Sequence, residues 1–273
     1  MTEPTGSERW MPRHFKRLIK TYQTSMGTSE VMTDAGRAYL KTMGSKEGPH
    51  PLASEWVATH LAKWFGLPTF DVAIIMMDKN DSYPLPKGYR VEPGPAFAAR
   101  AVDGHPWGGD GTELLQLINV DHITWLVIFD NWVLNCDRYP PDLVQRKPNY
   151  GNVCLAETGA RGRLRLLAMD QTHCFNCGRD WTPELAHDRW MKDERLYGLF
   201  PQFVSLLRRD AAEAAAARLS EMSHDVATAV IPAISPEWQV SPAAQVAMVE
   251  LVSRRAGLVA DRILDQLPFG LST

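Results

Sequence analysis

Hydrophobic and polar positions along the chain predict strands in the first part and helices in the second. In Ala53–Phe65, apolar side chains recur at three- and four-residue steps, which is typical of an amphipathic helix. Gly66 and Pro68 follow at once and predict where this helix ends. Ahead of it, the segment Tyr22–Met43 contains the turn signal Thr33–Gly36 between apolar runs, which predicts a β-hairpin.

The rest of the pattern predicts an α+β fold with two lobes. Further strands are expected at Asp71–Asp78, Tyr89–Glu92, Ala96–Val102, Val153–Ala156 and Leu164–Met169. Further helices are expected at Leu114–Leu134, with a break near Asn119–Asp121, and at Ala211–Met222 and Pro242–Leu267. The glycine-rich segment Gly104–Gly111 marks the boundary. We therefore expect a flexible arm over residues 1–20, an N-lobe over 21–103 and a C-lobe over 104–273.

Composition excludes several classes of protein. The 273 residues are 45% apolar and 22% charged, which is ordinary globular usage. The net charge is −3, whereas nucleic-acid-binding proteins are typically strongly basic. No apolar signal segment opens the chain, and no run approaches the roughly 18 residues of a membrane span. We expect a cytoplasmic protein without a membrane partner, and its oligomeric state stays open.

Polar side chains that could take part in catalysis or metal binding follow the predicted apolar elements. Asn135-Cys136-Asp137-Arg138 ends an apolar helix, where charge is costly unless it is paired or used. Asn152 precedes the next strand, and Asp170 follows the strand after that. A two-stranded ribbon can bring Asn152 and Asp170 together, and their oxygens are ligands that suit Mg²⁺.

The same residues suit phosphoryl transfer. That reaction needs a carboxylate for the acceptor proton, metal ligands and a lysine for phosphate charge. Lys41 ends a predicted strand, and Glu55 lies fourteen residues later on the helix, the pairing that protein kinases use. Small residues at Gly27, Thr28 and Ser29 let backbone N–H groups approach phosphate. Each feature alone is also typical of a turn or a surface pair, so the ordered combination carries the interpretation.

These motifs resemble the HipA-like kinase family over roughly residues 22–175. The resemblance is carried by Met26–Ser29, Ala38–Lys41, Glu55–Ala62, Phe65–Pro68, Asn135–Arg138, Asn152–Leu155 and Leu167–Gln171. It implies a protein-kinase-like fold and ATP- and Mg²⁺-dependent phosphorylation of a hydroxyl acceptor, Ser or Thr of a protein.

The resemblance also implies roles for individual residues. Asp137 is the expected catalytic aspartate, and Arg138 is expected to stabilise charge beside it. Asn152 and Asp170 are the expected metal ligands.

In the N-lobe, the resemblance assigns the nucleotide contacts. Lys41 is the expected ATP lysine, held by Glu55. Gly27, Thr28 and Ser29 are the expected phosphate loop. The adenine hinge is expected near Phe97–Val102.

Three departures from the family pattern are visible in the C-lobe motifs. The segment from Asp137 to Asn152 is longer than the usual catalytic loop, which makes Asn149 a rival metal ligand. Tyr139 stands where many relatives carry His. Gln171 follows Asp170, so no switch of the Asp-Phe-Gly type is expected.

Three other functions stay open from the sequence. A nucleotide-binding pseudokinase would retain the site without transfer, and a small-molecule kinase would use the same core residues. A zinc or thiol protein could form around His173-Cys174-x-x-Cys177, if the fold brings Cys136 or Cys154 to it. The phosphoryl acceptor and any toxin–antitoxin role cannot be inferred from the sequence.

Overall fold

A five-stranded antiparallel sheet forms the N-terminal lobe of this computed structural model, which describes residues 10–269. Its strands are β1 (Phe15–Thr21), β2 (Ser29–Thr33), β3 (Gly36–Lys41), β4 (Val72–Met77) and β5 (Gly94–Arg100). Their order across the sheet is β1-β2-β3-β5-β4. Helix α1 (His50–Phe65) connects β3 to β4, and its buried side chains belong to the large core cluster that continues into the second lobe.

The predicted hairpin and helix form where local signals are strongest. Thr33 Oγ1 donates to the carbonyl of Gly36 at 2.8 Å and closes the turn between β2 and β3. Gly66 ends α1 in the left-handed region, with φ 93°, and its N–H donates to the carbonyl of Lys63 at 3.1 Å. The helix begins three residues earlier than predicted, at His50 with Pro51 in its first turn.

Residues 15–21 are strand β1, where the sequence pattern predicted a flexible arm. The strand pairs with β2, and Leu18 lies opposite Val31. It occupies the edge of the sheet, and its basic residues are those that commonly protect an edge strand. This is why it lacks the alternation by which strands are recognised. Residues 1–9 of the expected arm lie outside the described residues.

The strand predicted at Tyr89–Glu92 is wrong. Among residues 10–269, this segment forms one isolated bridge, between Pro84 and Arg90. Pro84 and Pro86 lack the N–H groups that a ladder needs.

The second lobe is mainly helical and contains a small sheet in the order β6-β7-β8. Its strands are β6 (Gly104–Pro106), β7 (Val153–Glu157) and β8 (Leu164–Ala168). Its helices are α2 (Gly111–Leu114), α3 (His122–Val133), α4 (Cys174–Cys177), α5 (Asp188–Met191), α6 (Arg209–Ser220), α7 (His224–Val230) and α8 (Pro242–Gln266). Among the described residues, no helix combines the length and apolar character of a membrane span. The predicted α+β, two-lobed architecture is confirmed.

The long helix predicted at Leu114–Leu134 is two helices, α2 and α3, separated by a non-helical segment. Asn119 lies in this break and hydrogen-bonds the backbone of Leu166 in β8 in both directions, at 2.9 and 3.1 Å. The Asn119 amide thus takes the place of a neighbouring strand's backbone beside Leu166. This side-chain bonding to the backbone explains why the helix is interrupted at the predicted point.

Candidate active site

A cavity of about 680 Å³ lies between the two sheets, a volume typical of small-molecule sites. The β1–β2 loop, the ends of β3 and β5, and the segments around Asp137, Asn152 and Asp170 all contribute to its lining. The cavity therefore collects side chains from both lobes.

Lys41 connects the lobes through two carboxylates. Its Nζ lies 2.7 Å from Glu55 Oε2 and 2.8 Å from Asp170 Oδ1. Glu55 Oε2 also accepts the backbone N–H of Gln171 at 2.9 Å. The contact between Lys41 and Glu55 fits the expected ion pair, and the contact with Asp170 adds a direct tie to the second lobe.

Burial and charge act in opposite directions in this cluster. Burial lowers the pKa of Lys41, but Asp170 and Glu55 outweigh it, so the pKa lies above its usual value. Burial raises the pKa of Glu55 against the effect of Lys41. Burial also raises the pKa of Asp170, but Lys41 and the hydrogen bond from Thr172 lower it to about 2. The cluster therefore holds a charged ammonium and an ionised Asp170.

Asp170 is held in an uncommon backbone conformation. Its φ of 56° lies in the left-handed region, which non-glycine residues seldom adopt. Thr172 Oγ1 donates to Asp170 Oδ1 at 2.7 Å and fixes the carboxylate. Strain of this kind concentrates at functional sites.

Asp137 lines the same cavity and is oriented by two asparagines. Asn152 Nδ2 donates to Asp137 Oδ2 at 2.8 Å, and Asn149 Nδ2 donates to the same oxygen at 3.3 Å. The Asp137 N–H donates to Asn135 Oδ1 at 3.1 Å. The structure thus brings together the three polar segments that the sequence singled out.

A cation could be held between Asn152 and Asp170. Among the hydrogen bonds of residues 10–269, none uses Asn152 Oδ1 or Asp170 Oδ2, and both residues line the cavity. These are hard oxygen donors of the kind that Mg²⁺ prefers. Over the same residues, no group of three or more His, Cys, Asp or Glu side chains forms a metal site on its own.

Arg138 does not face the cavity. Its side chain is fully buried, and Nη1 lies 2.8 Å from Asp130 Oδ1. The other guanidinium nitrogens donate to the carbonyls of Met169 and Asn152. The expectation that Arg138 stabilises charge at the reacting groups is therefore replaced by a positioning role, because each of its three guanidinium nitrogens donates a hydrogen bond inside the protein.

Of the three residues expected to form the phosphate loop, Thr28 alone lines the cavity. Ser29 is fully buried in β2 and donates to the carbonyl of Gly27. Gly27 has φ 67° and shapes the turn behind the lining. The cavity wall itself continues through Tyr22–Met26. The β1–β2 loop begins where β1 ends, so its extent could not be inferred from a sequence pattern that did not reveal β1.

The apolar part of the cavity lies against β5. Phe97, Ala99 and Val102 line it, and they belong to the segment Phe97–Val102 for which an adenine hinge is predicted. Cys154 and Met169 line it from the second lobe.

Sequence reasoning missed His173 and Arg146 as residues near Asp137. His173 Nδ1 lies 3.9 Å from Asp137 Oδ2, and its Nε2 lies 3.8 Å from Glu47 Oε2. Arg146 Nη1 lies 3.5 Å from Asp137 Oδ1. Their only signal was position, since Arg146 lies in the lengthened loop and His173 closely follows Asp170.

Comparisons with known proteins agree with this geometry. A family model described as HipA-like kinase matches residues 28–157, which confirms the resemblance to that family. A search among curated proteins returned no match.

Solved structures show the fold. The Helicobacter pylori proinflammatory kinase CtkA superposes with a TM-score of 0.50 at 14% identity, covering 92% of each chain. The Mycobacterium tuberculosis PknI kinase domain gives a TM-score of 0.28 at 14% identity, covering 93% of this chain and 95% of its own, which is too low to support an argument. The chain has a two-lobed, protein-kinase-like fold, and the family match supports a kinase, that is, a phosphotransferase.

Proposed function

We propose that the protein transfers the terminal phosphoryl group of ATP, with Mg²⁺, to a hydroxyl group, and that the acceptor is Ser or Thr of a protein. The observation that carries this proposal is the arrangement of Lys41. It contacts Glu55 of α1 and Asp170 of the second lobe, while Asp137 lines the same cavity. A strand lysine, a helix glutamate and a C-lobe carboxylate are the elements with which kinases position phosphates.

The cavity has one part for a flat apolar ring and one for charged groups. Phe97, Ala99 and Val102 supply apolar surface at one part, and Lys41 and Asp170 supply charge at another. A nucleotide has the same division, with a flat, largely apolar purine ring at one end and a charged polyphosphate at the other. The volume of about 680 Å³ is within the range that such a ligand requires.

The charge balance supports a need for a divalent cation. Among the described residues that line the cavity, Lys41 is the only lysine, and three carboxylates line it as well, those of Glu55, Asp137 and Asp170. A polyphosphate would be repelled by this surplus of negative charge. Asn152 and Asp170 would hold Mg²⁺, which supplies the charge that neutralises the phosphates.

Asp137 is placed to orient the acceptor and take its proton. The hydrogen bond from Asn152 fixes Oδ2, and the side chain of Asp137 retains 24% exposure. An acceptor hydroxyl that donates to this carboxylate is aligned for attack, and its proton passes to Asp137 as the new bond forms. Lys41 meanwhile neutralises charge on the phosphate that is transferred.

A nucleotide-binding pseudokinase is the second candidate. Arg146 belongs to the lengthened loop and lies 3.5 Å from Asp137 Oδ1, where an acceptor hydroxyl would approach. If Arg146 stays there when nucleotide binds, Asp137 is occupied and transfer fails. A protein that binds ATP without transferring phosphate would fit this case.

The test is incubation with γ-labelled ATP and Mg²⁺, comparing wild type with Asp137→Ala. The readouts are label on the protein itself, on proteins of a lysate, and on small molecules that remain soluble in acid. We expect label on Ser or Thr residues of proteins with wild type and none with Asp137→Ala. Label only in the soluble fraction would indicate a small-molecule kinase. ATP binding without label above the Asp137→Ala background would indicate the pseudokinase.

A further inference from the structure

A second cavity, of about 260 Å³, adjoins the segment before Asp137 and contains two cysteines. Cys136 and Cys177 both line it, and Cys177 packs against the small buried cluster that contains Cys136 and Tyr197. Cys136 Sγ donates to the carbonyl of His173 at 3.8 Å. The two residues come from segments that are far apart in sequence, the end of the α3 region and the end of α4. Only the fold brings these two thiols together, and the phosphoryl-transfer site uses neither of them.

Three arginines line the same cavity, which is referred to below as the dithiol pocket. They are Arg146, Arg179 and Arg195. Arg146 Nη2 donates to the carbonyl of Cys177 at 3.1 Å. Positive charge beside a thiol stabilises its thiolate, the form that reacts as a nucleophile.

The two thiols have different chemical characters. The interaction with Cys136 lowers the pKa of Cys177, and against burial the arginines lower it further. The interaction with Cys177, followed by burial, raises the pKa of Cys136. Cys177 is also the more exposed of the two, while Cys136 is buried. Cys177 thus has the properties of an attacking thiol, with Cys136 positioned behind it.

The backbone that carries Cys177 is strained. Phe175 has φ 73° and Cys177 has φ 60°, both in the left-handed region that non-glycine residues seldom adopt. Gly178 follows at φ 78°. Backbone strain of this kind concentrates at functional sites and switch regions.

We infer that Cys136 and Cys177 form a thiol-oxidation site that reacts with peroxides and closes to a reversible intramolecular disulfide. The Cys177 thiolate attacks a peroxide oxygen, the O–O bond breaks, and Cys177 becomes a sulfenic acid while hydroxide leaves. Cys136 then attacks that sulfur, and its proton passes to the departing hydroxyl, which leaves as water. The hydroxide of the first step takes up the proton that Cys177 released when it ionised. Two thiols are oxidised and one peroxide is reduced to two waters when the peroxide is hydrogen peroxide.

The other two cysteines are matched controls. Cys174 is fully buried, and Cys154 is 6% exposed in the wall of the large cavity. Neither residue lines the dithiol pocket. We expect both thiols to stay reduced while the pair reacts.

The experiment treats the reduced full-length protein with a small excess of hydrogen peroxide, blocks remaining thiols by alkylation and maps the peptides by mass spectrometry. The inference expects a Cys136–Cys177 linked peptide that dithiothreitol releases. Cys177→Ser should lose this peptide and slow thiol oxidation about tenfold or more, because the thiolate is removed. Cys136→Ser should instead leave a sulfenic acid on Cys177 that dimedone labels. Cys154→Ser and Cys174→Ser should form the Cys136–Cys177 linked peptide to the same extent as wild type.

Several results would overturn the inference. One is that Cys154 or Cys174 is oxidised before the pair. Another is that the disulfide forms between two chains. The third is that Cys136 and Cys177 stay reduced at a peroxide concentration that oxidises free cysteine. These readouts do not depend on phosphoryl transfer, so they decide the inference even if the proposed function fails.

A consequence for catalysis rests on the proposed function. Arg146 contacts both Cys177 and Asp137, and Cys136 directly precedes Asp137. Oxidised wild type should therefore transfer phosphate at least about tenfold more slowly and recover with dithiothreitol, whereas Cys177→Ser should be unaffected by peroxide.

Discussion

Arg138 Nη1 lies 2.8 Å from Asp130 Oδ1, and neither side chain is exposed to solvent. Asp130 belongs to α3, and Arg138 follows Asp137 directly. Arg138 also donates to the carbonyl of Met169 at 2.9 Å and to that of Asn152 at 3.3 Å. One buried guanidinium thus ties the Asp137 segment to both segments that carry the proposed metal ligands.

Replacing Arg138 should be costly for folding. Arg138→Met leaves the Asp130 carboxylate buried without its partner, which costs roughly 3–5 kcal/mol of unfolding free energy. The measurement is urea unfolding followed by circular dichroism. Arg254→Met is the matched control, because Arg254 is an exposed residue paired with Glu250 and should change stability by less than about 0.5 kcal/mol. Equal stabilities for the two variants would contradict the positioning role.

Glu55→Gln should impair transfer while the protein stays folded. The amide keeps the size of the side chain but removes the charge that holds Lys41, which then pairs with Asp170 alone. Misplacement of a phosphate-binding group by a fraction of an ångström lowers the transfer rate by about 10- to 100-fold. The rate of labelled-phosphate transfer checks this, beside Glu250→Gln on the surface of α8. A Glu55→Gln rate within twofold of wild type would contradict the proposed ion pair.

Gly27→Ala should weaken nucleotide binding. A Cβ at Gly27 would lie 2.9 Å from Pro86 Cδ and 3.0 Å from Leu85 Cδ2, so the loop above the cavity must shift. Gly159→Ala is the matched control, since Gly159 also has positive φ but has open space around a Cβ. We expect the KM for ATP to rise about tenfold for Gly27→Ala alone. A similar KM in both variants would show that the loop does not shape the nucleotide site.

Stability should fall in acid partly through Asp193. Burial raises the pKa of Asp193, but hydrogen bonds from Arg195 and Tyr197 outweigh it, so the folded-state pKa lies below the usual value. A lowered pKa gives stability that is complete above the unfolded value, about 3.9, and is lost as the pH falls through the folded value. Asp193→Asn should therefore destabilise the protein by about 1–3 kcal/mol at pH 6 and by less at pH 3.

Urea unfolding at the two pH values checks this, with exposed Asp261→Asn as the control. A deficit for Asp193→Asn that is equal at pH 6 and pH 3 would contradict the assignment.

Local signals account for the elements that the sequence predicted correctly. Helix α1 has an apolar periodicity and a glycine that ends it, and the β2–β3 hairpin has its turn signal between apolar runs. The break near Asn119 was also visible. These features depend on neighbours in the chain, so they can be inferred from the sequence pattern.

Features that depend on distant partners could not be predicted. Strand β1 is recognised only through its pairing with β2 at the sheet edge. The burial of Arg138 depends on Asp130, and the pairing of Cys136 with Cys177 depends on the turn at α4. Asp137, Asn152 and Asp170 could be proposed from the sequence because each lies next to a recognisable apolar element, whereas the distances between them could not be inferred.

We propose that Asp137 takes the acceptor proton during phosphoryl transfer, in a site where Asp170 and Asn152 would hold Mg²⁺. The most direct measurement is single-turnover transfer from γ-labelled ATP by wild type and Asp137→Asn, with ATP binding measured by calorimetry on the same samples. We predict that both bind ATP in Mg²⁺ with similar affinity, because Asp137 is not a phosphate contact. Transfer should fall at least about 100-fold in the variant and should vanish for wild type in EDTA. Equal transfer by both proteins, or transfer by wild type that persists in EDTA, would contradict the account.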